Sequence, residues 1–450
     1  MNLTIPSGAE KIIKTLNDAG YEAYVVGGCV RDALLGKNPA DWDITTSAEP
    51  MIVKSLFRRT VDTGLQHGTV TVLMDHDSYE VTTYRVDGLY EDGRHPKQVS
   101  FTPDLREDLK RRDFTINAMA YHPTEGLVDA FEGQEDLKRK IIRAVGNATE
   151  RFSEDALRMM RAIRFSAQLD FAIEEETLTA IRALSGNLAK VSAERIQVEL
   201  CKCLGSDHPE KFRLFYETGL TKIFLPEFDV CMETPQNNPH HAYSVGEHIL
   251  KAVEGIRSDG TLRLAMLLHD IAKPLTKTTD EKGIDHFWGH QEKGAQMAVE
   301  ILRRLHFDNE TIRRVKALVE HHDALIVPEP KPMRRAIHKI GEDFFPDLFD
   351  VAQADLLAQS MYQREEKLAL NEGRRKVYKE IMDARDCVSL KTLAVNGGDL
   401  IKAGCRPGKG IGQILQTMLA DVLEEPSHND KTYLLAQYGT MIAEYAGEEQ

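Results

Sequence analysis

Two aspartates one residue apart, Asp41-Trp42-Asp43, lie thirteen residues beyond a glycine pair, Gly27-Gly28. No other feature constrains the chain as much. Tyr24-Val25-Val26 is strand-like, the glycines turn the chain, and Val30 to Gly36 reads as a short helix. On an extended strand, side chains at i and i+2 share a face, so Asp41 and Asp43 converge on one point. Two such acids repel unless a cation lies between them, and Mg²⁺ favours carboxylates combined with phosphate oxygens. The glycines let backbone N–H groups come close to a phosphate. Together these features suit metal-dependent nucleotidyl transfer. A D-x-D pair alone is commonplace, and its weight here comes from its surroundings.

At 450 residues the chain exceeds one ordinary core, and roughly two to four domains are expected. With 42% hydrophobic and 28% charged residues it has a globular composition, and no apolar run approaches membrane-spanning length. Met1 to Pro6 lacks the basic and apolar regions of a secretory signal. The six cysteines are scattered without a C-x-x-C, so free thiols in the cytoplasm are expected. The net charge of −14 argues against a nucleic-acid partner, but charge is unevenly placed. Between Lys138 and Arg164 eight basic residues face three acids, enough to predict a phosphate-binding strip.

Ala9, Ile12, Ile13 and Leu16 mark a first helix, ended by Gly20. Extended segments follow at 44–46, 68–73 and 79–84, giving an α+β region to about residue 140. Residues 85–97, with Gly88, Gly93 and Pro96, read as a mobile loop. From 141 to about 230 the pattern is helical, with Ser153 predicted to cap a helix starting at Glu154. Thr234 to Pro239 reads as a linker, followed by a histidine-rich helical region to about 360 and a segment rich in helix formers.

Two further motifs accompany the aspartates. Arg111-Arg112-Asp113, running on to Asn117-Ala118, offers paired guanidiniums for phosphate or ribose and an acid that can accept from a 2′-hydroxyl. In Glu154-Asp155-Ala156-Leu157-Arg158, Asp155 and Arg158 fall on one helical face, while Ala156, Met160, Ile163 and Ala167 form a buried stripe. In order and spacing, Gly27-Gly28…Arg31-Asp32, Asp41-x-Asp43, Arg111 to Ala118 and Glu154 to Arg158 resemble the bacterial class II tRNA nucleotidyltransferases over about residues 20–205. These are the CCA-adding enzymes and their poly(A) polymerase relatives, of the polymerase-β-like superfamily.

The resemblance implies roles. Asp41 and Asp43 would hold Mg²⁺, with Glu80 a candidate third carboxylate. Gly27, Gly28 and Arg31 would contact the triphosphate, and Arg112 and Asp113 the ribose; Asn117, Arg161 and Arg164 join the nucleotide-binding set. Asp155 and Arg158 would read cytosine and adenine, which share an amino donor beside a ring-nitrogen acceptor, and reject uracil and guanine. In this family the enzymes that add only two cytidines lack the flexible loop. Asp87 to His95 therefore favours CCA or A addition.

A second series, His248, His269-Asp270, His290, His321-His322 and Asp355, offers imidazole and carboxylate to divalent transition metals. It resembles the HD-domain phosphohydrolases: His248, His269, Asp270 and Asp355 match the core ligands, and His290 with His321 or His322 a second position. His240, His241, His286 and His306 are read as incidental. The glycine turns from Val395 to Gly412 resemble the family's tRNA-gripping tail.

The fold expected is thus multidomain. An α+β nucleotidyltransferase head (1–140) precedes an all-α neck (141–232), an all-α HD domain (233–360) and a helical tail (361–450). CTP, ATP and the tRNA 3′ end are the expected partners. A-adding, poly(A)-synthesising and purely hydrolytic enzymes are the alternatives.

Overall fold

The computed structural model describes residues 3–87 and 99–445. The loop expected at 85–97 lies, from residue 88 onward, outside the described residues. Its flanks are β6 (Arg85–Asp87) and β7 (Val99–Phe101), paired antiparallel. The chain divides into two compact units: Met1–Asp229 with Arg304–His306, and Val230–Arg303 with Phe307–Gln450.

The first unit opens with the helix Ser7–Asp18, which buries the predicted stripe of Ala9, Ile12, Ile13 and Leu16. Beyond it, Gly20 at φ +88° reverses the chain. A seven-stranded sheet follows, built from β1 (Ala23–Val26), β2 (Ile44–Thr46), β3 (Thr60–Gly64), β4 (Thr69–Met74), β5 (Asp77–Thr83), β8 (Met119–His122) and β9 (Gly126–Asp129). Its order is β3-β4-β5-β2-β1-β8-β9. Strands β1 and β8 are buried at every residue and mainly apolar; the exception, His122, is satisfied by Asn17 at 2.7 Å. Strand β2 runs parallel to β5, with Ile44 opposite Val81, so the residues just before them, Asp43 and Glu80, fall side by side at the same edge.

The helical pattern beyond 141 is real but broken. Asn147, not Ser153, caps a helix, Ala148–Glu154, by accepting from the Glu150 N–H. The chain then extends at Asp155 (φ −137°, ψ 103°), whose carboxylate accepts from the Leu157 N–H and starts the helix Leu157–Leu169. Met160, Ile163 and Ala167 are fully buried there, as their spacing predicts. Ile141–Ile142 pairs in parallel with Ala172–Ile173, so the neck expected as all-α carries a small β bridge.

The second unit is also mainly helical, with one exception to the all-α expectation: Thr278–Thr279 pairs with Asp285–His286 in a short hairpin. Its central helices are Val245–Gly255, Gly260–Leu268, His290–Arg304, Asn309–His321 and Phe345–Ala358. Gly260–Leu268 buries every residue from Leu262 onward, as a helix enclosed on all sides must. Towards the chain end, Asn396 and Asp399 form a reciprocal cap on Gly397–Lys402, and Leu400, Ile414, Met418 and Leu434 share a core. Among the described residues no helix is long and apolar enough to cross a membrane.

Candidate functional site

In the first unit, Asp41 to Asp43 are the lead-in to β2, which begins only at Ile44. The Asp43 carbonyl accepts from the Val26 N–H, tying this lead-in to the end of β1, directly before Gly27. Desolvation raises the Asp43 carboxyl above the usual carboxylate range, the Glu80 and Asp41 charges add to this, and Arg112 opposes it. Asp41, Asp43 and Glu80 therefore share one electrostatic locus, although all three keep exposed surface.

Gly27 holds φ +85°, and a Cβ there would sit 3.0 Å from Arg112 Nη1. The backbone conformation thus favours glycine, and a side chain there would also push the Arg112 guanidinium aside. Asp108, fully buried, binds both Arg111 (2.8 Å) and Arg112 (3.4 Å). Burial pushes the Asp108 carboxyl up, but the two arginines prevail and lower it. Arg31, also buried, donates to Asn117 Oδ1 (2.7 Å) and to Asp32 (2.8 Å) and lies over the Phe165 ring. Asn117 in turn donates to Asp113 Oδ1 (3.1 Å), while Arg161 Nε donates to Asp113 Oδ2 (2.7 Å). Burial acts to raise Asp113, but Arg161 and Asn117 hold it at about 2. Arg31, Asn117, Asp113 and Arg161 thus form one connected network, while Asp108 anchors Arg111 and Arg112 near Gly27.

Asp155 and Arg158 have other immediate partners. Asp155 Oδ2 accepts from Arg195 (2.7 Å); Arg158 donates to Glu154 (2.6 Å) and to the Arg111 carbonyl (2.9 Å). The break at Asp155 removes the shared helical face that i,i+3 spacing predicted. The expected basic strip is also largely spent inside the fold. Arg143 pairs with Asp136 and Glu174, Arg151 and Arg158 with Glu154, and Arg161 with Asp113. Arg164 pairs with Glu199 and lies over Phe165; its burial lowers it to about 10. Local charge excess overlooked acids brought in from elsewhere in the chain.

The second unit builds a tighter centre. His248 Nε2 lies 3.2 Å from His269 Nε2, 3.3 Å from Asp270 Oδ2 and 2.9 Å from Asp355 Oδ1. On the other side of Asp270, His290 and His322 place Nε2 3.4 and 3.8 Å from Oδ1. Asp270 is therefore shared between two groups, His248-His269-Asp270 and Asp270-His290-His322, each with its ligating atoms within 4.8 Å of one another. All four rings use Nδ1 on a backbone carbonyl, of Ala358, Met266, Phe287 and Val319. A carbonyl can only accept, so each Nδ1 carries a proton and each Nε2 is free to present its lone pair inward, the usual arrangement of metal-binding histidines. Neither Asp270 oxygen has a properly directed hydrogen bond, although Lys273 Nζ lies 2.6 Å away. Burial would lower the His269 imidazole, but Asp270 and Asp355 raise it to about 10. Protons there balance charge that a bound cation would balance instead. The donor set fits a pair of divalent transition metals.

His321 does not join this group. It precedes His322 by one residue, about 100° around the helix axis, and burial lowers its imidazole; His322 takes the position. Other residues were missed. His241 packs edge-on to His248 at 5.3 Å, and with His240 and His286, read as incidental, it lines the cavity of about 340 Å³ at the centre. His306 bonds Glu194 elsewhere, on an exposed surface. Lys273 could have been read from its place one helical turn after Asp270, and Asp108 from its i+3 and i+4 arginines.

Residues 23–143 match the poly A polymerase head domain, 170–232 the probable RNA- and SrmB-binding site of polymerase A, and 279–437 a putative second tRNA nucleotidyltransferase domain. The chain is 37% identical to the CCA-adding enzyme of Lactiplantibacillus plantarum, covering 97% of this chain and 96% of that one. It is 36% identical to that of Enterococcus faecalis, over 96% of each. Among solved structures it resembles the Bacillus stearothermophilus CCA-adding enzyme in complex with CTP, with a TM-score of 0.71, 30% identity and coverage of 98% of this chain and all of that one. The chain belongs to the family of CCA-adding enzymes, which are tRNA nucleotidyltransferases.

Proposed function

We propose that this protein completes the 3′-terminal CCA of tRNA in the cytoplasm, from CTP and ATP, releasing pyrophosphate. The observation that carries this is the convergence of Asp41, Asp43 and Glu80 beside the Gly27–Arg112 contact, in a chain similar over its whole length to CCA-adding enzymes. Asp41 and Asp43, with Glu80 as a candidate third carboxylate, would hold Mg²⁺, which would supply charge neutralisation and activation of the attacking hydroxyl. Gly27, Gly28 and Arg31 bind the triphosphate, and Arg112, Asp113 and Asn117 orient the ribose. Asp155 and Arg158 read the base, whose edge replaces the protein partners Arg195 and Glu154; Arg161 and Arg164 support them from behind. Each mismatched contact costs about 1–3 kcal/mol, adequate for selection without a nucleic-acid template.

The second centre adds metal-dependent hydrolysis of phosphoesters. In that step water attacks phosphorus, the ester oxygen leaves, and it takes up a proton. His248, His269, Asp270, His290, His322 and Asp355 would hold divalent transition metals, which would supply a lowered pKa of water and polarisation of the phosphoryl group. The head, neck, histidine domain and tail divide at residues 140, 232 and 360. The test supplies Mg²⁺ with tRNAs ending at the discriminator base, C or CC, and CTP or ATP singly and together. Extension of all three to CCA is expected. Extension from CC alone indicates A addition, and unlimited A tracts indicate poly(A) synthesis.

A further inference from the structure

The cavity beside the histidine centre has an unusual wall. Trp288 is 79% exposed, and its indole lies parallel to the His286 imidazole, with centroids 5.8 Å apart and planes within 8°. An indole left in water at a cavity mouth has a flat apolar face for another ring. The support beneath it is fixed. His286 closes the short hairpin, and its Nε2 lies 3.1 Å from Asp280 Oδ2, while Asp280 Oδ1 accepts from the Lys282 and Ile284 N–H groups. Both aromatic residues line the same cavity as Asp270, His290 and Asp355.

A second cavity, of about 240 Å³, meets the centre from another side and shares His322, Asp323, Asp355 and Gln359 with the first. Its remaining wall is aliphatic and cationic, Leu325, Leu356, Lys367 and Arg374 among it, and offers no aromatic ring. The two approaches to the histidine centre thus differ: one carries a ring platform, the other aliphatic and cationic groups.

We infer that the Trp288–His286 stack is a base platform, so that the phosphoesters hydrolysed at the histidine centre are nucleotides held with the base on Trp288 and the phosphoryl group at Asp270. This rests on the hydrolytic reading of that centre. Trp288 is a specificity residue and takes no part in bond cleavage. Stacking of a base on an aromatic side chain contributes about 1–3 kcal/mol, which corresponds to a fivefold to hundredfold effect on binding.

Two measurements on the full chain test this. First, hydrolysis of AMP and of ribose 5-phosphate is compared in the wild type, Trp288→Ala and Trp288→Phe. Trp288→Ala is expected to raise the KM for AMP at least fivefold with kcat within twofold and to leave ribose 5-phosphate unchanged, and Trp288→Phe to restore most of the affinity. Second, the chain has two tryptophans, so in a Trp42→Phe background the fluorescence reports Trp288 alone. AMP should quench it and ribose 5-phosphate should not. Equal effects of Trp288→Ala on both substrates, or equal quenching by both, overturn the platform while leaving the hydrolase. Base-dependent quenching with neither ester hydrolysed under Mn²⁺, Co²⁺, Ni²⁺ or Zn²⁺ supports the platform and overturns the hydrolytic reading.

Discussion

The two acid-bearing centres of this chain are built on opposite plans. In the head, Asp41, Asp43 and Glu80 stand at the exposed end of two parallel strands, and their mutual repulsion is offset mainly by Arg112. In the second unit five side chains are buried around one shared carboxylate, Asp270, each histidine locked by a backbone carbonyl. An open carboxylate edge suits Mg²⁺, which keeps part of its shell for substrate phosphates. A closed nitrogen-rich cage suits a resident transition metal. On the proposed reading substrate phosphates would complete the first centre, whereas the side chains of the second are already assembled.

The sharpest way to break that contrast is to remove one carboxylate from each. Asp43→Ala should lower nucleotide addition by about a thousandfold or more, roughly 4 kcal/mol of transition-state stabilisation, and leave phosphoester hydrolysis intact. Asp270→Asn should do the reverse. Loss of both activities in either variant, measured on tRNA ending in CC and on AMP, would mean that the centres are not independent.

Metal removal separates them next. After chelation and desalting, Mg²⁺ alone should restore addition within mixing time, whereas hydrolysis should return only with a transition metal. Metal analysis of the purified chain should find about two transition ions per chain if the cage retains them. Restoration of both activities by Mg²⁺ alone would erase the distinction.

Smaller effects probe the framework of the head. Gly27→Ala places a Cβ 3.0 Å from Arg112 Nη1 on a backbone at φ +85°. A shift of that guanidinium should cut kcat/KM for CTP by about a hundredfold, with hydrolysis as the unaffected control. Asp113 is next. Its carboxyl is held at about 2, below the unfolded value, so its contribution to stability is fully present above about pH 4. That contribution is lost as pH falls towards 2. A shift of this size corresponds to about 2–3 kcal/mol at neutral pH. Asp113→Asn should lower the denaturation midpoint accordingly and flatten its acid dependence between pH 4 and 2.

How legible these sites were depends on the distance between partners. The strand–glycine turn–helix–strand order of the head is local, and its periodicities reproduce β1, β2, β4 and β5 closely. The side chains that meet in the histidine centre were likewise visible as a spaced series. What could not be read was pairing across the sequence. Glu199 and Arg195 lie thirty-five and forty residues from the arginine and aspartate they neutralise, which is why the basic strip and the Asp155–Arg158 face looked free. The helix break at Asp155 was hidden for another reason: a carboxylate that restarts a helix through the Leu157 N–H leaves the apolar period almost undisturbed. His286 was read as incidental and Trp288 drew no notice because a hairpin of two-residue strands gives no periodic signal.

The smallest predicted effect tests whether Glu80 is a ligand or only a neighbour. Desolvation, Glu80 and Asp41 together raise the Asp43 carboxyl, and the form that binds Mg²⁺ is the carboxylate. Nucleotide addition should therefore fall on the acid side at a higher pH than an ordinary aspartate would impose. Glu80→Gln removes one repelling charge, so the acid limb should move to lower pH, by less than about one unit. Saturating Mg²⁺ should move it the same way, because the cation favours the ionised pair. If Glu80 only repels, the plateau rate above the limb stays at the wild-type level. If Glu80 holds metal, the plateau drops as well and more Mg²⁺ is needed to reach it. A limb that does not move would mean that Glu80 lies too far from Asp43 to influence it, and the head centre would then rest on the two aspartates alone.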